Sequence, residues 1–554
     1  MNKILCLIIV LSVSFRFIGL NWDQNFHLHP DERFLTMVGG ALKWPINILG
    51  YLNTQNSTVN PHNIGYPFYV YGTLPLLFVK LLSGLLNHDT YNGLTLVGRT
   101  ISAVFDSSVI FLVYLIAQKI FKQKSISLFS AVFYGLSVLP IQLSHYFAVD
   151  TFLVFFLYLT FYLLTFDGIL ISLLLGITYG LATASKISAV LFLPVILLSY
   201  LIKLINHKNL KITFKSVLLF LVSAIICLRL AQPYLFNNYF DLNPKLIKNW
   251  QELKSYEDPS GWFPPVVQWL NTPPILFPFA NIFFFGLGPV LFLFSLSSFK
   301  NSFRNLKKHP EILLHLCWIF GLFIYQGVQL AKPLRYFYPV FPSLAILAGP
   351  VLYRFFTQKN RIIMIIVFFL SLSWPLAFVS IYLSQHPRII ASNWIYRHIP
   401  AGRVISCEYW DDCLPLGGAG PYRVVELPLY NLPDNQAKME EIQTKLNQLD
   451  YLILSSNRLF GSISSVPEKY PHSSKFYQDL FSEKLGFIKI AEFTSRPHLS
   501  VPFISLCLTP PFLNYGEVLK DNSPCPSGIT ITDDYADETF TVYDHPKVII
   551  FQKR

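Results

Sequence analysis

Charge is scarce in this chain. Asp, Glu, Lys and Arg make up 13% of its 554 residues, whereas 53% are hydrophobic and 16% aromatic. Soluble globular domains carry about 25% charged residues, so a soluble enzyme of this length is excluded. The mean hydropathy of +0.45 agrees. Cysteine is scarce too: seven residues, too scattered for a disulfide scaffold. No small-x-small cleavage site follows the first apolar run, which ends in Leu20-Asn21-Trp22. Met1 to Leu20, with Lys3 as its charged start, is therefore expected to be an uncleaved first span. The net charge of +12 is not gathered into one basic patch, which sets nucleic acid aside. No internal repeat or low-complexity tract is present.

What the chain has instead is long apolar runs, near 3–20, 67–86, 96–117, 126–146, 149–166, 169–185, 187–203, 216–231, 276–298, 312–331, 337–353 and 362–384. Runs of about 20 apolar residues are membrane spans. Basic residues cluster in the short loops between them: Lys119/Lys122/Lys124, Lys203/Lys208/Lys211/Lys215, Arg304/Lys307/Lys308 and Arg354/Lys359/Arg361. All four clusters and Lys3 face the cytoplasm, as the positive-inside rule asks, if the stretch 67–86 does not cross. That stretch carries Pro67, Gly72, Pro75, Lys80 and Gly84 and reads as a broken or interfacial helix on the outer face. The expectation is a polytopic α-helical membrane protein of eleven spans in the plasma (inner) membrane. Its amino terminus would be cytoplasmic and its carboxyl terminus outside; a simple count would give twelve spans.

Beyond about His386 charges appear and long apolar runs vanish. Arg388 to His398 reads as a helix ending before Pro400-Ala401-Gly402. Val404–Cys407, Tyr451–Leu454, Phe487–Phe493, Phe540–Tyr543 and Val548–Phe551 read as strands. Asp434 to Leu449 reads as an amphipathic helix capped by Asp434. The expected organisation is a transmembrane unit over 1–385, with an outer loop at 21–95, and an exoplasmic or periplasmic α/β domain over 386–554. Cys407 and Cys413 are near neighbours there, as are Cys507 and Cys525. An oxidising outer compartment permits disulfides at both, and free buried thiols are the alternative.

His29-Pro30-Asp31-Glu32 follows directly on the first apolar run. Adjacent carboxylates just past a span are costly unless they face a polar cavity, so they are a functional-site hypothesis. With eleven spans, Asp31, Asp150, Lys186, Gln232-Pro233-Tyr234 and Lys332/Arg335 all fall on the outer side. Each has a plainer reading. Asp31 and Glu32 suit the first turn of a helix starting at Arg33. Asp150 suits the N-cap of the next span, and Arg99, Lys186 and Arg335 suit interfacial anchoring. Tyr234 and Tyr336 suit an aromatic belt. His27, His29 and Asp31 alternate at i, i+2, i+4 and are weak candidates for a metal. In the outer region, Glu408-Tyr409-Trp410-Asp411-Asp412 offers aromatics to a glycan or, more simply, a packed Trp.

The ordered set of Asp31-Glu32, Tyr66-Pro67-Phe68-Tyr69-Val70-Tyr71, Gly98-Arg99, His145-Tyr146-Phe147-Ala148-Val149-Asp150, Thr183-Ala184-Ser185-Lys186, Gln232-Pro233-Tyr234 and Arg335-Tyr336-Phe337-Tyr338-Pro339 resembles the GT-C membrane glycosyltransferases. The branch it resembles holds the protein O-mannosyltransferases and lipid A aminoarabinose transferases, and the likeness covers roughly residues 1–385. It implies a glycosyltransferase using a polyprenyl-phosphate sugar and a hydroxyl acceptor (protein, glycolipid or polysaccharide) on the outer membrane face. By the same resemblance the reaction is a single inverting step. Asp31, with Glu32 beside it, would be the base. Arg99, Lys186 and Arg335 would hold the phosphate, with Asp150, Tyr66, Tyr234 and Tyr336 around the donor. No cofactor is required by this reading, although a divalent cation is compatible with it. A transporter or lipid flippase is the rival, but such proteins usually show repeated halves and midplane charges.

Overall fold

The computed structural model describes residues 1–238, 241–260, 263–510 and 525–554. Every one of the twelve apolar runs contains helix. Among the described residues five helices are long and apolar enough to cross a bilayer: Tyr91–Phe121, Ile187–Asn206, Leu210–Ala231, Leu334–Gln358 and Arg361–His398. Lys124–Gly135 and Val138–Ser144 reach that length only as a pair, bent by 60° at the break, as in a broken span or a re-entrant loop. Six shorter apolar helices join them: Asn2–Ser14, Thr73–Leu85, Val149–Leu164, Ile169–Ser185, Leu276–Gly286 and Ile312–Gly327. This is a multi-pass integral membrane protein. Its helices expose Leu, Ile and Phe outward, as at Leu218, Ile366 and Phe369, because hydrocarbon makes no demand for a polar face.

The C-terminal region is α/β. Among the described residues eight strands are present: β1 (Val404–Glu408), β2 (Arg423–Leu427), β3 (Tyr451–Leu454), β4 (Phe487–Phe493), β5 (His498–Leu499), β6 (Ser505–Leu508), β7 (Gly528–Ile531) and β8 (Val548–Lys553). They form one sheet in the order β2-β1-β3-β8-β4 and a smaller one in the order β5-β7-β6. β1 runs parallel to β2 and β3, whereas β8 runs antiparallel to β3 and β4. Both sequence-adjacent cysteine pairs, Cys407–Cys413 and Cys507–Cys525, are disulfides.

Two local expectations fail. The strand expected at Phe540–Tyr543 is a helical turn, Glu538–Thr541, whose start is fixed by the Asp537 side chain accepting from Thr539 N. Phe540 there packs against Phe285 and Phe378 of the membrane unit, so its apolar character serves docking and not a sheet. The helix expected from Asp434 runs Gln436–Gln448, and its cap is Asn435. Asp434 instead accepts from His472 N, Ser473 N and Lys438 Nζ, tying this helix to Pro471–Phe481.

The segment after β7 fastens the α/β region onto the helices. The Asp544 carboxylate accepts from Tyr146 Oη at 2.6 Å, Tyr382 Oη at 2.8 Å and Gln142 Nε2 at 3.0 Å. His545 lies between Asp544 and Asp533, fully enclosed. Burial alone would lower the imidazole, but the two carboxylates outweigh it and push it up to about 10, so His545 is the cation of a buried triad.

Candidate functional site

The helix Pro30–Ala41 begins at Pro30, not at Arg33, with His29 as its N-cap. Proline fits this first position because its missing N–H would be unpaired there anyway. Asp31 and Glu32 therefore both lie in the first turn, but about 100° apart around the axis, and they meet different surroundings. Glu32 points inward and is fully enclosed. It accepts from Arg99 Nε at 2.8 Å, from Arg99 Nη2 at 2.5 Å and from Phe147 N at 2.8 Å. Asp31 points outward and pairs with Arg335, each side chain about one-fifth exposed.

Two glycines make this convergence sterically feasible. A Cβ on Gly98 would sit 2.3 Å from the Phe147 ring, and one on Gly72 would sit 2.0 Å from the Ala184 carbonyl. Bare backbone at Gly98 brings the 145–148 corner against the helix bearing Arg99. Bare backbone at Gly72 lays the strand-like stretch bearing Tyr71 along the end of Ile169–Ser185, beside Lys186.

Around Asp31 the structure assembles Arg335, Tyr336, Lys186, Asp150 and Tyr71. Lys186 Nζ donates to Asp150 Oδ1 at 2.8 Å. The same ammonium lies 4.5 Å from the Tyr336 ring centre, with the Arg335 guanidinium 5.7 Å from that ring. Two ion pairs thus share one aromatic ring, an arrangement in which each cation gains from the ring's negative face. The Tyr71 side chain faces the Asp31 carboxylate. Burial would raise the Asp31 carboxyl; the Arg335 guanidinium, with smaller help from His29 and Tyr71, outweighs it and holds it well below the usual carboxylate range. The Arg335 Nε is buried without a partner among the described residues.

Other expected site residues lie elsewhere. Arg99 is enclosed and spends all five N–H groups, on Glu32, on Asp23 (3.0 and 2.7 Å) and on Leu20 O (2.8 Å), with Trp22 packed on its face. It has no hydrogen left for a phosphate, so Arg99 and Glu32 are a structural knot beneath the site. Asp150 lies in the first turn of Val149–Leu164 and Ala148 is the cap. Tyr66 bonds to Met37 O and packs edge-on against Phe34; Tyr71, five residues on, is the tyrosine that reaches Asp31. Tyr234 is buried against Ser57 and Tyr51 O, clamping the outer loop.

The metal candidates do not fit either. The His27 ring nitrogens engage Asn92 and Thr95. His29 accepts from Glu32 N, and its ring packs, tilted, between Tyr146 and Tyr543; burial lowers it to about 4. Among the described residues no cluster of three His, Cys, Asp or Glu is placed for a metal. The acidic tract of the outer domain is also spoken for. Asp411 and Asp412 hold Arg388, Asp412 also holds Arg33, and Glu408 accepts from Tyr477 Oη.

Four participants gave no sequence signal that singled them out. Tyr71 sat unremarked within the quoted Tyr-rich stretch. Tyr543 arrives from the outer domain, with its ring 4.3 Å from His29. Arg16 and Asp106 form an enclosed pair at 2.5 Å, to which Tyr134 and Tyr338 donate hydroxyls. Tyr338 follows Arg335 by one helical turn, so this pair fixes the segment Leu334–Val340 from below.

Residues 91–236 match the family described as dolichyl-phosphate-mannose-protein mannosyltransferase. The matched stretch holds Arg99, Asp150, Lys186 and Tyr234, and it meets the resemblance read from the sequence. Among solved structures, the chain is similar to the Archaeoglobus fulgidus oligosaccharyltransferase in complex with Zn and sulfate. The two are 15% identical over 85% of this chain and 71% of that one, with a TM-score of 0.48. It is also similar to ArnT from Cupriavidus metallidurans bound to undecaprenyl phosphate, 14% identical over 72% of this chain and 73% of that one, TM-score 0.42. The arabinofuranosyltransferase AftD from Mycobacteria is 12% identical over 100% of this chain and 40% of its own, TM-score 0.41. No curated protein matches the chain.

Proposed function

We propose that this protein is a membrane glycosyltransferase. It moves a sugar from a polyprenyl-phosphate donor to a hydroxyl acceptor at the outer face of the plasma (inner) membrane, in one inverting step. The observation that carries this reading is the partly open cluster of Asp31, Arg335, Tyr336, Lys186 and Asp150, drawn from four distant parts of the chain. Residues 1–385 form the catalytic unit and 386–554 the outer domain. Eleven spans with a cytoplasmic amino terminus follow if the stretch 67–86, broken by Pro67, Gly72 and Pro75, stays on the outer face, since every basic loop then lies inside.

In the resting arrangement Arg335 masks Asp31. A carboxylate held this low is ionised at neutral pH, so it can take a proton but not give one. The entering donor phosphate competes for the guanidinium, for which a bidentate phosphate is a suitable partner. As Arg335 turns to the phosphate, Asp31 loses its strongest acidifying neighbour and becomes a better base. The acceptor oxygen then bonds to the anomeric carbon, its proton passes to Asp31, and the carbon–oxygen bond to phosphate breaks with its electrons leaving on the lipid phosphate. Arg335 and Lys186 stabilise that charge.

Purified protein given a panel of polyprenyl-phosphate hexoses and pentoses should release lipid phosphate when acceptor is present. The Asp31→Asn variant should insert and fail to turn over. Polyprenyl phosphate alone, the leaving group, should raise the thermal midpoint of wild type but not of Arg335→Gln. Wild-type turnover by Asp31→Asn, or no protection by the lipid phosphate, overturns the proposal.

A further inference from the structure

A second lipid contact lies at the opposite end of the helical unit. A groove of about 510 Å³ runs between Asn2–Ser14, Lys124–Gly135, Phe341–Gln358 and Arg361–Leu383. Its walls are apolar, and Arg361 and Ser371 supply its polar side chains; no carboxylate lines it. Arg361, exposed, opens the helix Arg361–Leu383, which also brings Ser371 to the groove, and Leu136 lines it from the far end of Lys124–Gly135. From 361 to 371 a helix rises about 15 Å, half the hydrocarbon core of about 30 Å and so the depth of one leaflet. Ile4, Ile365 and Phe369 are exposed, 48% to 61%, along the opening, so the groove is reached from the side by lipid.

Further cations stand round the mouth. The start of Asn2–Ser14 is held to the start of Lys124–Gly135 by Ser125 Oγ donating to Asn2 Oδ1 at 3.2 Å, which brings Lys3 and Lys124 to one end of the unit, and Met1 and Arg361 line the groove together. Lys359 lies in the same short connection as Arg361, and Lys3, Lys124, Lys359 and Arg361 are all exposed. A basic rim over an apolar trough one leaflet deep is complementary to an anionic phospholipid. A neutral lipid would fill the trough and leave the rim unanswered.

We infer that this groove is a binding site for an anionic phospholipid of the cytoplasmic leaflet, separate from the proposed donor site. Only the name of the leaflet rests on the orientation given above; the binding itself does not. The test reconstitutes full-length protein into nanodiscs of phosphatidylglycerol and phosphatidylcholine, extracts it in mild detergent, and counts retained lipids by native mass spectrometry. Phosphatidylglycerol should be enriched in the tightly held fraction. Arg361→Gln, an exposed change that leaves packing intact, should cut that enrichment about fivefold, the value of one basic residue at a charged surface. Ile8→Trp, which fills the groove, should remove one retained lipid. Equal retention of the two lipids, unchanged enrichment in Arg361→Gln, or an unchanged lipid count in Ile8→Trp would each overturn the inference. None of these readouts involves sugar transfer, so its failure leaves the transferase proposal to its own test.

Discussion

Asp31 and Glu32 are adjacent, chemically alike, and assigned opposite jobs, which makes the pair of amide substitutions the sharpest test of the site. Glu32→Gln keeps the shape but puts an amide donor against a guanidinium whose five N–H groups already have partners. It leaves Arg99 buried with Asp23 as its remaining carboxylate. Breaking one partner of a buried pair costs about 3–5 kcal/mol, a large part of the roughly 5–15 kcal/mol typical of a folded domain. Asp31→Asn breaks a pair whose side chains are 20% and 21% exposed. Water can solvate what is left of it, and the cost should be about 1 kcal/mol. Stability and chemistry should therefore separate. Glu32→Gln should give low yield and a clearly lowered thermal midpoint in detergent, with whatever fraction folds still turning over. Asp31→Asn should purify and melt like wild type and release no lipid phosphate. The opposite pattern, with a stable, inactive Glu32→Gln and an active Asp31→Asn, would refute the division of labour and move the base to the buried carboxylate.

Three further outcomes are expected. Tyr336→Leu removes the ring shared by Lys186 and Arg335 and should lower turnover about 5- to 30-fold, for about 1–2 kcal/mol of cation–ring attraction, whereas Tyr336→Phe should keep most of the rate; steady-state assays of both check this. His545 has its titration raised from 6.5 to about 10, so the stability it lends is complete below pH 6.5 and is lost as pH rises toward 10. Limited proteolysis of the outer domain should quicken over that range in wild type, and much less in His545→Gln. A cysteine at Asn87, exposed after Thr73–Leu85, should react with a membrane-impermeant thiol reagent from outside if that helix stays on the outer face.

Much of the architecture was legible because hydrocarbon imposes so simple a demand. Each apolar run near the stated limits contains helix, and the C-terminal region, where long apolar runs vanish, is α/β. The cluster was partly legible for a related reason. Asp31, Lys186 and Arg335 are ionic groups beside apolar runs, and such groups need partners. What the sequence withheld was which cation meets which carboxylate. Arg99 and Arg335 look alike as letters. One is swallowed by Glu32 and Asp23, whereas the other reaches Asp31 from 304 residues away. Helical phase decides between Asp31 and Glu32, and that phase depended on the helix starting at Pro30 and not three residues later. Tyr543 was hidden for a different reason: read as a strand, Phe540–Tyr543 belonged to a sheet, when in fact its apolar residues serve contact with the membrane unit.

That contact bears on how the protein is made. Asp544 grips Tyr146 across 398 residues of chain, and its neighbour Tyr543 packs against the histidine that caps the Asp31 helix. The wall that Tyr543 adds beside His29 and Arg335 is thus laid down only after residue 543 has been made, so a half-made polypeptide holds an unfinished chamber.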